Sequence, residues 1–246
     1  MVKYIRVKNL RYLTETILNK DMFDNKGNPL PHKVLKLFEQ IATAHAEELG
    51  VGFEALLKRN LLWVVTQIRY ELCGEIAADQ KVFLETWPLP QNRMGYERCY
   101  RITDKSGNVL IKGISNWVII ETVSRKMVAT EKIYPNEEYY PLKTFEERSR
   151  RLRDFEAQEP IFSVTPDEKY IDNNGHVNNT YYAYFAECAL GEFKGKIKSF
   201  QIDFIHEVLK DEPLKLYCFE NESSVQVKGI SKTGERSFAC LVNFGD

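Results

Sequence analysis

The chain contains an internal repeat, and a duplicated unit constrains the fold more than any other feature of this sequence. The turn DNKG at 24–27 and the turn DNNG at 172–175 each precede an apolar helical stretch. The positions that are identical at this fixed offset are Asp24 and Asp172, Asn25 and Asn173, Gly27 and Gly175, and Glu39 and Glu187. The two turns therefore mark equivalent points in two related units.

A helix and then a set of strands follow each turn. Apolar residues recur at helical spacing through 29–50 and again through 178–193. Gly50 stops the first helix, and Asn178 or Asn179 is the expected N-cap of the second. Segments typical of strands come next, at 63–72, 80–89, 96–104 and 109–121 in the first half and at 200–208, 213–221, 223–231 and 236–245 in the second.

A single helix with an apolar stripe needs a sheet to cover it, and the strands of each half supply one. The predicted fold class is therefore α+β, with two tandem units that are each a long helix wrapped by an antiparallel β-sheet. We expect the N-terminal unit at 1–136 and the C-terminal unit at 160–246. The intervening stretch 137–159 is charged and helix-prone, which is typical of a linker.

The composition excludes several classes of function. A net charge of −1 argues against binding to nucleic acid through phosphate neutralisation, and the apolar runs are too short for a membrane helix. The five cysteines are odd in number and scattered, which favours reduced thiols in the cytoplasm, and we expect Cys188 to pack in the core. The four histidines lie far apart, so neither a metal site nor a cofactor is expected.

The two copies differ at the turn itself. The second copy reads YIDNNGHVNN at 170–179, and where it has His176 the first copy has Asn28. A duplicated unit with one histidine-bearing turn indicates a single working site. Asp172, Asn174 and His176 are the candidate catalytic residues on this turn.

The pattern D-x-N-x-H-V-N-N at 172–179 resembles the active-site motif of the acyl-acyl carrier protein thioesterases. ETWP at 85–88, followed by Arg93, and SNWVIIETVSRKMV at 115–128 are similar to first-half segments of the same family. The resemblance implies a double hotdog fold and an N-terminal hotdog that holds the acyl chain. It also implies hydrolysis of fatty acyl-acyl carrier protein thioesters to free fatty acid and carrier protein, which terminates fatty acid elongation. Trp63, Trp87 and Trp117 are core residues by default, or else line that acyl pocket.

The resemblance also points to Glu207, because plant members carry a glutamate followed by a cysteine about thirty residues after the histidine. Here Val208 stands where the cysteine would be, so carboxylates and imidazole must perform the chemistry. The chain also begins without the plastid transit segment of the plant enzymes, and we expect a bacterial protein. Either Glu207 or Asp172 is the expected general base or nucleophile, with His176 bonded to one of them and Asn174 orienting the carbonyl or the water.

The start of the second helix completes the expected site. Backbone N–H groups near Val177, Asn178 and Asn179 are unpaired at a helix N-terminus and form a plausible oxyanion hole. Acyl carrier protein is acidic, so exposed basic residues would help it dock. The candidates are Arg148, Arg150, Arg151, Arg153, Lys194, Lys196 and Lys198.

Two other functions remain open at this point. An acyl-CoA thioesterase would use the same turn and fold with a different carrier, and a non-catalytic acyl-binding double hotdog would need no polar cluster. The sequence leaves the acyl chain length open. The protein is expected to be a monomer or a homodimer, because two hotdogs in one chain already form the usual pair.

Overall fold

In the computed structural model, the described residues form one antiparallel sheet of ten strands that runs through both halves of the chain. The structure describes residues 10–92, 95–128, 133–134, 138–157, 159–172 and 174–245. Arg93, which is part of the resemblance, and Asn173, which is part of the repeat, lie outside the described residues, as does the predicted boundary at 136.

The elements follow the same order in both halves. The first half contains β1 (Tyr12–Ile17), α1 (Pro31–Glu48), α2 (Phe53–Leu57), β2 (Leu61–Leu72), β3 (Lys81–Pro88), β4 (Tyr96–Thr103) and β5 (Val109–Glu121). The second half contains β6 (Phe162–Val164), α3 (Asn179–Leu190), β7 (Lys196–Phe204), β8 (Leu214–Glu220), β9 (Ser224–Ser231) and β10 (Arg236–Gly245). Short 3₁₀ turns at Lys20–Met22 and Glu168–Tyr170 precede the two repeated turns.

The strand order shows the duplication directly. It reads β1-β3-β4-β5-β2 in the first half and continues as β7-β10-β9-β8-β6, which is the reverse of the equivalent order. The halves join where β2 pairs with β7, with Gln67 opposite Asp203 and Ile68 opposite Ile202. The predicted α+β fold with two tandem helix-and-sheet units is confirmed.

Local sequence signals set the ends of the two long helices. Pro31 occupies the first turn of α1, where a missing N–H costs nothing, and Gly50 follows the helix with a φ of 72°. Asn178 is the N-cap of α3, and its side chain accepts a hydrogen bond from the Thr180 amide at 2.9 Å. Both predicted helices are therefore present, with the cap at Asn178.

The two helices lie against each other on one face of the sheet, and both halves contribute to a single main core. Phe38 of α1 stacks on Tyr100 of β4, with ring centroids 4.3 Å apart. Tyr70 of β2 lies beside Phe200 of β7 across the junction between the halves. Because alternate residues of a strand face opposite sides, Gln67 and Asp203 point away from the helices.

The first half contains a segment that the second half lacks. α1 has 18 residues and α3 has 12, and the repeat offset places the end of α3 at the position of Ala42. Residues 43–57, which include the last turns of α1 and the whole of α2, are thus specific to the N-terminal unit. The strand and helix patterns did not predict α2.

The linker forms no helix over residues 138–157, so the helical tendency predicted for it is wrong there. It crosses the outer face of the sheet, where the Arg150 carbonyl accepts hydrogen bonds from the side chains of Gln67 and Gln201. The Leu152 amide donates to the buried Asp203 carboxylate at 2.6 Å. These contacts bind the linker backbone to side chains of the sheet, and they outweigh the local preference for a helix.

Within the described residues, no helix has both the length and the apolar character needed to cross a membrane.

Candidate active site

The turn before α3 is built on the Asp172 carboxylate. Asp172 Oδ1 accepts hydrogen bonds from the amides of Asn174 at 2.8 Å and His176 at 3.4 Å. Gly175 adopts a φ of 82°, a conformation that suits glycine. This arrangement fixes the backbone that carries the His176 side chain.

The first copy forms the same turn without a histidine. Asp24 Oδ1 accepts hydrogen bonds from the amides of Lys26 at 2.9 Å and Asn28 at 2.7 Å. The Asn28 side chain then binds the start of β7, since its Oδ1 accepts from the Ile197 amide at 3.0 Å. The aspartate thus serves the turn in both copies, and the imidazole is the addition specific to the second.

Glu207 pairs with His176. Glu207 follows β7, and its Oε2 lies 2.9 Å from His176 Nε2. The other carboxylate oxygen, Oε1, contacts the Arg125 guanidinium in an ion pair. The exposed fractions of the His176 and Glu207 side chains are 20% and 45%, so water and substrate can reach the pair.

The end of β7 is fastened to the turn through Val208. The Val177 amide donates to the Val208 carbonyl at 2.9 Å, and the Val208 amide donates to the Tyr182 hydroxyl at 3.0 Å. Burial raises the pKa of the Tyr182 hydroxyl, which stays protonated as a neutral acceptor. The Val208 side chain is fully buried, so this residue fixes the position of the backbone next to Glu207.

Two of the three expected oxyanion donors are already engaged. The Val177 amide binds Val208, and the Asn178 amide donates to the Tyr170 carbonyl at 2.9 Å. Among the described residues, no acceptor is found for the Asn179 amide, the first of α3. The expected oxyanion hole is therefore reduced to Asn179 by the hydrogen bonds of its neighbours.

The Asn179 amide also has no counterpart in the first unit. At the repeat offset Asn179 corresponds to Pro31, which has no N–H to donate. The unit without the histidine thus also lacks this donor. The asymmetry between the two turns extends from the side chains to the backbone.

The candidate residues converge on one cleft of about 190 Å³. Its lining includes Asp172, Asn174, His176, Val177, Asn179 and Glu207, together with Arg125, Arg151 and His206. Residues that are separated in sequence by more than thirty positions thus face a common space, with carboxylate, amide and imidazole groups on its walls. An imidazole–carboxylate pair can activate a water molecule, and an open amide can stabilise an oxyanion. The arrangement therefore suits transfer of an acyl group to water.

An apolar pocket of about 160 Å³ adjoins this cleft in the N-terminal unit. Thr43, Ala46, Gly52, Phe53 and Leu56 line it, and all of them belong to the segment 43–57 that the second unit lacks. Leu62, Trp63 and Asn174 line both the pocket and the cleft, so the two spaces meet at Asn174.

The three tryptophans divide between the two roles considered for them. Trp63 and Trp117 line the apolar pocket. Trp87 is fully buried in a separate cluster, where its indole N–H donates to the Leu142 carbonyl at 2.7 Å. Two tryptophans therefore face the pocket and one belongs to the core.

Arg125 is a site residue that the sequence analysis missed. It lies in the turn after β5 with a φ of 55°, and its contact with Glu207 spans 82 positions. It falls within the segment 115–128 that carries part of the resemblance, which was the available signal. A local pattern does not reveal a contact over such a distance.

The basic residues proposed for docking lie in two places. Arg148, Arg150, Arg151 and Arg153 are exposed on the linker, and Arg151 lines the cleft. The lysines are at the start of β7, whereas Glu207 follows its end. Lys198 is six residues from Phe204, the last residue of β7, which along a strand corresponds to about 20 Å. Lys194, Lys196 and Lys198 therefore do not border the cleft, and Lys194 pairs with Glu220.

The prediction that Cys188 packs in the core is wrong, because its side chain is exposed. The buried face of α3 is formed by Thr180, Tyr182, Ala183, Phe185 and Ala186, and Cys188 lies outside it. The helix is apolar nearly all round, so its sequence defines no single buried stripe.

Comparison with known proteins identifies the family. The family model described as the acyl-ACP thioesterase N-terminal domain matches residues 10–136. The chain is 26% identical over 203 residues to an oleoyl-acyl carrier protein thioesterase 2, chloroplastic, of Arabidopsis thaliana, which covers 73% of this chain and 54% of that protein. A palmitoyl-acyl carrier protein thioesterase, chloroplastic, of the same plant is also 26% identical, over 74% of this chain and 48% of its own length. The chain thus spans about half the length of these curated relatives.

Solved structures show the same fold over nearly the whole chain. An acyl-ACP thioesterase from Bacteroides thetaiotaomicron superposes with a TM-score of 0.82 at 24% identity, covering 96% of this chain and 98% of that one. A 12:0-ACP thioesterase from Umbellularia californica gives a TM-score of 0.85 at 18% identity, covering 96% and 97%. With the model match extending over half of its residues, the chain belongs to the acyl-ACP thioesterase family.

Proposed function

We propose that the protein hydrolyses fatty acyl-acyl carrier protein thioesters to free fatty acid and carrier protein, which ends fatty acid elongation. The observation that supports this most strongly is the junction at Asn174. There, an apolar pocket of about 160 Å³ adjoins a polar cleft with a paired histidine and glutamate. A non-catalytic acyl-binding protein has no use for that pair.

In the proposed reaction the acyl chain occupies the N-terminal pocket and the thioester carbon lies at the junction. A water molecule held by the Glu207–His176 pair attacks this carbon and gives up a proton to the pair. The carbonyl oxygen becomes an oxyanion, which the Asn179 amide and the positive end of the α3 dipole stabilise. The carbon–sulfur bond then breaks, and the carrier thiolate leaves and is protonated.

Asp172 and Asn174 have supporting roles in this proposal. Asp172 holds the turn, as Asp24 does in the other unit, and Glu207 acts as the base because it alone of the two contacts the imidazole. Asn174 lines both spaces and orients the carbonyl or the water. Arg125 holds the Glu207 carboxylate in place from the side opposite to His176.

We further propose that the carrier protein docks over the linker arginines, since Arg151 borders the cleft and its neighbours in the run are exposed. Attraction between opposite charges speeds such encounters, and added salt weakens this attraction.

All five cysteines are free thiols, which favours a cytoplasmic location.

The carrier decides between the two thioesterase functions. The purified protein should release fatty acid from acyl-acyl carrier protein with a kcat/KM at least about tenfold higher than from the acyl-CoA of the same chain length. Thiol release with a chromogenic reagent measures both substrates. Faster turnover of acyl-CoA would show that the protein is an acyl-CoA thioesterase. Turnover of neither substrate would contradict thioester hydrolysis.

The location of the acyl chain can be tested with Ala46→Phe, which fills the apolar pocket. If the new ring displaces about four methylene groups, each worth about 0.8 kcal/mol, kcat/KM for the longest good substrate should fall by roughly two orders of magnitude. Turnover of a butyryl substrate should be little affected. Gln40→Phe, on the exposed side of the same helix, is the matched control. An equal loss at every chain length would place the chain elsewhere.

A further inference from the structure

The side chain of Glu39 on α1 contacts Asn178 at the start of α3. Its Oε1 accepts a hydrogen bond from Asn178 Nδ2 at 2.7 Å, while Asn178 Oδ1 accepts hydrogen bonds from the Thr180 amide at 2.9 Å and from the Thr180 hydroxyl at 2.7 Å. The Asn178 side chain is thus held at both ends. Its neighbour on the chain is the Asn179 amide, for which the described residues provide no acceptor.

The equivalent glutamate of the other unit makes a different contact. Glu187 reaches from α3 to the start of α1, where its Oε1 accepts directly from the His32 amide at 2.7 Å and its Oε2 lies 2.5 Å from His32 Nδ1. His32 is the repeat equivalent of Thr180. The N-cap residue of α1 is Leu30, which has no capping side chain, so the carboxylate of Glu187 caps that helix itself.

The starts of the two helices thus differ in whether an amide is left to bind a ligand: α1 offers none, and α3 offers the Asn179 amide. In the first unit a carboxylate occupies the helix N-terminus and Pro31 supplies no amide. In the second unit the Asn178 side chain lies between the glutamate and the backbone. Its Oδ1 accepts a hydrogen bond from the Thr180 amide, and its Nδ2 donates one to the Glu39 carboxylate. The negative charge of Glu39 is thereby kept off the amide that would receive an oxyanion.

We propose that Glu39 is a positioning residue for thioester hydrolysis: its carboxylate fixes the orientation of the Asn178 side chain and so keeps the helix start capped and the Asn179 amide open. This inference rests on the proposed function. Glu39 lines the apolar pocket next to Asn174, so the N-terminal unit contributes to the geometry of the catalytic turn as well as to acyl binding.

The test compares variants at both ends of the contact. Glu39→Gln keeps a carbonyl oxygen for Asn178 and should retain kcat within about threefold, whereas Glu39→Ala should lower kcat by roughly 10- to 100-fold with KM little changed. Asn178→Asp keeps the cap but places a carboxylate against Glu39, and it should lose activity similarly.

Glu187→Ala is the matched control, because it removes the equivalent contact at the start of α1, the helix whose turn has no histidine. It should lower the melting temperature, as the loss of a helix cap costs about 1 kcal/mol, but leave kcat within about threefold. Amide hydrogen exchange provides a readout that does not depend on activity. Exchange at the Thr180 amide should become faster in Glu39→Ala and remain slow in Glu39→Gln.

Four results would overturn the positioning role. Loss of activity in Glu39→Gln as large as in Glu39→Ala would show that the charge itself acts. Unchanged kcat in Glu39→Ala, or an equal fall in Glu187→Ala, would show that the contact only stabilises the fold. If the wild type hydrolyses no thioester, the proposed function fails, and unchanged Thr180 exchange in Glu39→Ala would separately refute the contact.

Discussion

Replacing Asn179 with proline is expected to lower kcat by about 10²- to 10³-fold, the usual cost of removing one oxyanion donor. The substitution deletes the Asn179 N–H, which is the amide that α3 leaves open. Proline suits the first position of a helix, and Pro31 already occupies the equivalent position of α1. The preceding residue, Asn178, has a φ of −59° and a ψ of 137°, which a following proline accepts.

The matched variant is Asn179→Ala, which removes the side chain and keeps the N–H. It should hydrolyse the substrate within about threefold of the wild-type rate. Single-turnover kinetics, with circular dichroism to check that α3 is retained, separate the two variants. Equal activity of Asn179→Pro and the wild type would remove the backbone from the proposed oxyanion hole, and equal losses in both variants would assign the effect to the side chain.

The fold was predictable because it is encoded twice. The repeated D-N-x-G turns, the helical spacing after each turn and the four strands per half all gave the same α+β unit, and the reversed strand order of the second half is what a pair of such units forms. Strands β5 and β10 were predicted to the residue, at 109–121 and 236–245.

What could not be predicted depends on contacts between distant segments. The charged linker has helix-forming residues, but side chains of β2 and β7 bind its backbone, and it forms no helix over residues 138–157. Arg125 reaches Glu207 only because the turn after β5 and the end of β7 meet in the folded sheet. The availability of each amide at the start of α3 was likewise decided by partners such as the carbonyls of Tyr170 and Val208.

The second prediction of large effect concerns the proposed catalytic pair, His176 and Glu207. His176→Ala and Glu207→Gln should each lower kcat/KM by at least about 10²-fold, because each removes half of the unit that would move the proton. The double variant should be scarcely slower than the worse single variant, since groups that act together lose their joint contribution once. Glu168→Gln, which alters an exposed carboxylate paired with Lys210, is the control for loss of one surface charge.

The pattern of losses tests the pair more stringently than the size of either loss. Glu207→Gln keeps the shape of the side chain and its contact distance to His176, so the expected loss follows from charge and basicity rather than packing. Losses that multiply in the double variant would mean that His176 and Glu207 act independently, although their atoms lie 2.9 Å apart. A Glu207→Gln enzyme with near-wild-type turnover would shift the base to Asp172, the other carboxylate of the cleft. Asp172 would then act through its Oδ2 atom, because its Oδ1 atom already accepts two amides of the turn, as Oδ1 of Asp24 does in the unit without the histidine.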